Sequence, residues 1–242
     1  MPDDMPVLMS REAGWAEVIL NRPERRNSVI APLNEKLLEV LQALDEDEEI
    51  SSIILRGEGG YFCSGVDLKA LQADPPPTWR DRQGPSWRNL HLALYNMQTP
   101  VIGAFESYGI NAGAALALAC DILIAGESAF LQIGEIQQGV AAPMNAAWLK
   151  IKTSEQVAAR LVLYGDRVPA QEMFRLGLAT ECVADDQVVN RCREIAARLA
   201  EFPQGATSTL KRSLIDKRDV EDPETLFAMA SGPGLINAGM VK

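Results

Sequence analysis

The chain has 242 residues, 47% of them hydrophobic, and a formal net charge of −10. That is enough to bury a sizeable core, read here as one domain with appended structure rather than two small ones. The acidity argues against a nucleic-acid or anionic-membrane surface, since both need clustered Lys and Arg, and leaves room for an anionic small molecule held locally.

The first residues, MPDDMPVLMSREAG, lack a basic segment followed by an apolar one, and no run of apolar residues is long enough to span a bilayer. A soluble, cytoplasmic protein is expected. Trp15–Leu20 reads as a strand, and the polar stretch Asn21–Asn27 as a turn leading to Ser28 as a helix cap. Leu33, Leu37, Leu38, Leu41 and Leu44 recur at helical spacing and predict a helix with one buried face. Ser52–Leu55 is a short buried strand, and Phe62–Asp67 turns into a helix at Leu68–Leu71. The breaker-rich stretch from Asp74 to Pro85 reads as a mobile loop. A helix is predicted over Trp87–Met97, a strand over Val101–Glu106, a helix over Ala112–Ala119 and a strand over Ile122–Ala125. This alternation implies a largely parallel sheet with right-handed crossovers. From Ala147 the signals turn helical: a helix through Ile151, others over Ser154–Leu163, from Pro169, over Val188–Leu199 and Ala206–Asp216, and a last over Pro223–Met229.

The four cysteines (Cys63, Cys120, Cys182, Cys192) are widely spaced and read as reduced thiols. The single histidine, His91, has no partner cluster, which argues against a His-based metal site or a Ser-His-Asp triad; it reads as a packed or solvated residue. The most informative run is Val101–Asp121, VIGAFESYGINAGAALALACD, where an apolar strand passes through small residues into a helix. Gly109, Ala112, Gly113 and Ala114 let a polar group approach bare backbone, and a helix start offers unsatisfied N–H groups and partial positive charge. No Lys-Ser or Lys-Thr pair follows, so this is not a P-loop. An oxyanion hole for a carbonyl oxygen remains.

Four segments, taken together, resemble the enoyl-CoA hydratase/isomerase (crotonase) superfamily: Leu20–Asn27 (LNRPERRN), Gly60–Leu68 (GYFCSGVDL), Tyr108–Asp121 (YGINAGAALALACD) and Leu163–Glu172 (LYGDRVPAQE) followed by Gly177-Leu178. The resemblance implies an α/β fold, a spiral of repeated ββα units over 1–188, with a helical trimerisation region over 189–242. It further implies an acyl-CoA thioester as ligand, with coenzyme A part of the substrate and no separate cofactor, and a homotrimer or dimer of trimers. The thioester carbonyl would be polarised by the N–H groups of Val66 and Ala112, each donor commonly worth about 3–4 kcal/mol to an enolate.

Family hydratases use two glutamates. The first position is Ala115 here, and the second aligns with Glu135. A lone carboxylate can return a proton to a different carbon, so the count favours double-bond isomerisation over hydration. Decarboxylation, thioester hydrolysis and non-catalytic acyl-CoA binding remain as alternatives. Substrate contacts are assigned to Cys63, Ser64, Gly65, Asp67, Leu68, Tyr108, Gly109, Gly113 and Ala115. Among these, Cys63 also reads as a small buried filler, like Cys120, and Asp67, like Asp121, as a residue that caps a helix or ties down a turn. Tyr108 either lines the acyl pocket or packs beneath the turn. Gln137 or Gln138 could add a polar contact, and Gln138 is taken as the binding residue. Arg25, Arg26 and Lys69 flank the turn where the family places the nucleotide, and either meet its phosphates or are solvated. Lys211, Arg212 and Lys217 form a basic face, solvated or facing a neighbouring subunit's coenzyme. The stretch after Ser231-Gly-Pro-Gly234 departs from the family's pattern of a terminal helix that contacts the coenzyme.

Overall fold

A computed structural model describes residues 5–228. The chain opens with a hairpin of β1 (Val7–Glu12) and β2 (Trp15–Leu20), paired antiparallel. Then follow α1 (Ala31–Asp45), β3 (Ser52–Gly57), α2 (Leu68–Leu71), α3 (Gln83–Asn96), β4 (Val101–Phe105), β5 (Tyr108–Ile110), α4 (Ala112–Ala119), β6 (Ile122–Gly126) and β7 (Phe130–Gln132). The remainder comprises α5 (Pro143–Lys152), α6 (Glu155–Tyr164), β8 (Arg167–Pro169), α7 (Ala170–Arg175), β9 (Glu181–Val183), α8 (Val188–Ala200), α9 (Ala206–Ile215) and α10 (Pro223–Leu226). The main sheet runs β1-β2-β3-β4-β6-β9, parallel from β2 onward, and β5-β7-β8 form a smaller second sheet.

The inner strands are almost continuously apolar because both faces of the sheet are covered. Side chains alternate across a strand, so Ile53 and Leu55 of β3 enter the larger core with Leu33, Leu37 and Leu41 of α1. Ile54 points the other way, with Ile102, Ala104 and Ile124, onto Val188, Cys192 and Ala196 of α8. The helix at 188–200 therefore lies directly on the sheet.

Several local expectations are corrected. Ser28 does not cap α1: the helix starts at Ala31 with Ile30 at the cap position and Pro32 in its first turn. Ser28 is instead held by Arg22, whose guanidinium donates to its carbonyl and, at 3.3 Å, to its hydroxyl. Helix α3 begins at Gln83 rather than Trp87, because Pro85 falls in the first turn, where no intrahelical N–H is required. Similarly, α5 starts at Pro143. The region after Ala147 is not purely helical, since β8 and β9 interrupt it and β9 is the edge of the main sheet; three residues are too few for alternation to show. The last helix ends at Leu226 in the structure, and the predicted Met229 and the stretch after Ser231 lie outside the described residues.

Lys211 is not solvated. It is 5% exposed, with its ammonium 2.7 Å from Asp121 and donating at 2.9 Å to the Thr99 carbonyl, while Asp121 accepts from the Val101 N–H at 2.8 Å. The long stem is buried and only this pairing keeps the charge satisfied. Lys211→Ala is expected to lower the unfolding free energy by about 1.5–3 kcal/mol, the worth of hydrogen bonds to a charged group, read from urea midpoints.

Candidate active site

Two turns are joined side by side. The Cys63 N–H donates to the Tyr108 carbonyl (3.2 Å) and the Ile110 N–H to the Cys63 carbonyl (3.1 Å), so the chain before α2 lies against β5, which leads into α4. This contact demands glycine. A Cβ at Gly113 would lie 2.2 Å from the Cys63 carbonyl oxygen, and one at Gly65, whose φ is +100°, 2.9 Å from the Ile110 oxygen.

The same junction frees two donors. The Val29 N–H donates to Gly65 and the Asp67 N–H to Val29, so the N–H of the intervening Val66 points away from that partner. No acceptor takes it, or the N–H of Ala112 at the first position of α4, among the described residues. Both residues line a cleft of about 420 Å³, together with Ser64, Leu68, Trp87, Ala115, Glu135, Gln138 and Met144.

Asn111, just before α4, has φ +52° and ψ −108°, a conformation that costs a non-glycine residue about 1–3 kcal/mol and persists only where neighbours impose it. Here they do. Its N–H donates to the Gln132 carbonyl (2.8 Å), its Oδ1 accepts from the Gly134 N–H (2.8 Å), and its carbonyl accepts from Asn145 Nδ2 (3.0 Å). The backbone that aims Ala112 is thus fixed from three sides.

Glu135 begins a short 3-10 turn, Glu135–Gln138, immediately after Gly134. Its Oε1 accepts from Asn145 Nδ2 at 2.9 Å, and its Oε2 is buried without a partner. Burial pushes its carboxyl up to about 7, against the smaller opposing pull of its own backbone N–H and Asn145. A carboxyl raised to that range is matched to proton exchange near neutral pH, where a general base works best. Ala115 is fully buried and presents only a methyl to the cleft.

Around this centre, Arg25, Arg26, Ser64, Val66, Asp67 and Leu68 border an adjoining hollow of about 240 Å³. Asp67 caps α2 through the Ala70 N–H (3.0 Å) and pairs with Arg22 (3.0 Å) and Arg25 (3.5 Å). Burial raises its carboxyl, but those donors together outweigh it and hold it below the usual range. The Ser64 hydroxyl donates to the Arg25 carbonyl at 3.3 Å. Arg26 sits over the Tyr61 ring at 5.9 Å. Lys69 is exposed and borders neither the cleft nor the hollow.

Of the predicted positions still to be placed, Cys63, Tyr108 and Gly109 do not line the cleft and Gln138 does. Cys63 is fully buried, its thiol pushed up to about 12 by burial. Tyr108 packs between the rings of Tyr61 and Phe130, 5.5 Å from each, beneath the turn rather than in the cleft. A Cβ at Gly109 would meet the Phe105 ring at 2.6 Å. Gln138 lines the cleft, whereas Gln137 donates to the Gly165 carbonyl at 2.9 Å. His91 is fully buried, accepts from the Trp148 indole at 2.8 Å, and is pushed down to about 3 by burial. Among the described residues no cluster of potential metal ligands occurs, and no helix is long and apolar enough to cross a membrane.

Asn111 and Asn145 were not anticipated. An asparagine directly before a predicted helix is a capping signal that marks the first, although its side chain makes no cap bond and accepts from Gly134 instead; Asn145, inside α5, carries no such signal.

Two unpartnered backbone N–H groups and one buried carboxyl thus line a single cleft, the kind of arrangement that suits a carbonyl substrate. A family model described as Enoyl-CoA hydratase/isomerase matches residues 10–230. The chain is 32% identical over 219 residues to the "Probable enoyl-CoA hydratase echA12" of Mycobacterium leprae, spanning 87% of this chain and 74% of that one. It is similar in structure to Pseudomonas aeruginosa PA4980, with TM-score 0.80 at 32% identity over 89% of this chain and 93% of that one. A monofunctional enoyl CoA isomerase from M. smegmatis is also similar, with TM-score 0.74 at 31% identity over 93% and 99% of the two chains. The chain belongs to the enoyl-CoA hydratase/isomerase family, the crotonase superfamily, and has its fold.

Proposed function

We propose that the enzyme shifts the double bond of an enoyl-CoA thioester from the 3,4 to the 2,3 position, with Glu135 as the only acid/base. The supporting observation is that Glu135 is the one ionisable side chain among the described residues lining the cleft. Its carboxylate takes a proton from C2, the charge passes to the thioester oxygen held by the Val66 and Ala112 N–H groups, and the same carboxyl returns the proton to C4. The C2–H bond and the C3–C4 π bond break while the C2–C3 π bond and a C4–H bond form, so nothing is consumed. Hydration would require a second group where Ala115 stands. Arg25 and Arg26, beside the hollow that adjoins the cleft, are read as contacts for the coenzyme's phosphates, and Lys69 as a more distant one. The exposed Leu210 and Leu214 on α9, near Phe202, support a subunit surface for a homotrimer or dimer of trimers.

The test is a panel of 3-enoyl- and 2-enoyl-CoA esters of matched length, with products identified by mass spectrometry and NMR. The 3-enoyl ester should convert without change of mass; efficient gain of water by the 2-enoyl ester, or release of free thiol, would replace this reading. An acyl group ending in a carboxylate should be turned over at least about 10-fold less well than its neutral counterpart, a difference of 1.4 kcal/mol. The reason is that such a charge would be desolvated near Glu135 with no cation in the described lining.

A further inference from the structure

Asn145 lies in the first turn of α5 and is 2% exposed. Its Nδ2 donates twice, to Glu135 Oε1 (2.9 Å) and to the Asn111 carbonyl (3.0 Å). Two acceptors on one nitrogen fix the orientation of the amide. Asn111 answers in kind, its side chain accepting from the Gly134 N–H, one residue before Glu135. The two asparagines therefore brace the turn that carries the carboxyl against the turn that carries the Ala112 donor.

We propose that Asn145 is a positioning residue that locks the Glu135 carboxylate at a fixed separation from the Ala112 N–H, so that proton transfer and enolate stabilisation act on one thioester at once. This rests on Glu135 being the base. Neither acceptor is held by any other side chain, so Asn145 alone ties the Glu135 carboxylate itself to the Asn111–Ala112 peptide, whereas the Asn111–Gly134 bond joins only the backbone of the two turns. The groups around Glu135 are otherwise uncharged: Ser64, Gln138, Asn111 and apolar side chains of α3, α4 and α5. The only side-chain donor holding its carboxylate form is Asn145 itself.

The experiment compares Asn145→Ala and the isosteric Asn145→Asp with the native enzyme and Glu135→Gln. It records kcat and KM for the 3-enoyl ester over pH 5 to 9 and the Glu135 carboxyl titration by carbon NMR. With the tether gone, kcat should fall about 10- to 100-fold, the scale of a small misplacement of a reacting group, with KM little changed. The acid limb and the NMR titration should both move to higher pH, further in Asn145→Asp, where a second carboxylate faces the first. Asp fills the same volume and covers the case in which Asn145→Ala fails to fold. A fall in kcat with an unmoved limb and titration would make Asn145 merely structural, and unchanged kcat would also overturn the proposal. An active Glu135→Gln enzyme would remove the base assignment itself, a distinct failure.

Discussion

Glu135→Gln is expected to lower kcat by about 10²- to 10⁴-fold, the usual contribution of a positioned acid/base, while acyl-CoA binding measured by calorimetry changes little. The amide keeps an oxygen for the Asn145 donor (2.9 Å in the native site), so the architecture survives and only proton exchange is lost. Activity of the native enzyme should rise with pH through about 7, because the proposed mechanism uses the deprotonated carboxylate and burial raises its pKa to about that value. Stability should run the opposite way. The folded pKa of about 7 exceeds the ordinary 4.5, so between those values the folded state holds a proton that the unfolded state has lost. Stability from this group is therefore fully present at the acid end and is lost as pH rises through the folded value. Glu135→Gln removes that loss. The variant should melt above the native protein at pH 8 and alongside it at pH 4, as thermal denaturation would show. Retained turnover, or equal melting at both pH values, would contradict the buried-base assignment.

Gly113→Ala should have the second largest effect, through a methyl placed in the wall between the two turns. The new Cβ would stand 2.2 Å from the Cys63 oxygen and 2.8 Å from its carbon, both backbone atoms that cannot rotate aside. Because Cys63 is itself bonded to Tyr108 and Ile110, the strain cannot be relieved without parting the segments that carry Val66 and Ala112. Overpacking of this kind costs about 1–3 kcal/mol of stability, and misaligning one oxyanion donor costs about 10²- to 10³-fold in kcat. Gly84→Ala is the matched control, since a Cβ there meets nothing within 4 Å and the residue lies in the first turn of α3. Gly84→Ala should leave kcat as it is. If Gly113→Ala also leaves kcat unaltered, the junction does not set the donors.

What was legible in the sequence was whatever depends on local backbone. The glycines at 65, 109 and 113 mark close approach, the alanines at 112 and 115 declare what cannot be a side-chain acid, and the strand-turn-helix order follows from periodicity. Short strands escaped because β5, β7, β8 and β9 have three residues each and derive their conformation from pairing across the chain. Lys211 escaped for a related reason, since α9 looks amphipathic whether its lysine meets water or Asp121. The role of Asn145 rests on two hydrogen bonds to residues 10 and 34 positions away, a separation no local pattern records.

The burial of His91 has a consequence for reading the enzyme's titrations. It is the only histidine in the sequence, and with its ring pushed down to about 3 it stays neutral throughout the physiological range. Cys63 and Cys120, both near 12, are equally silent there. An inflection in turnover at neutral pH, ordinarily the signature of an imidazole, would in this enzyme be a carboxylic acid speaking in histidine's register.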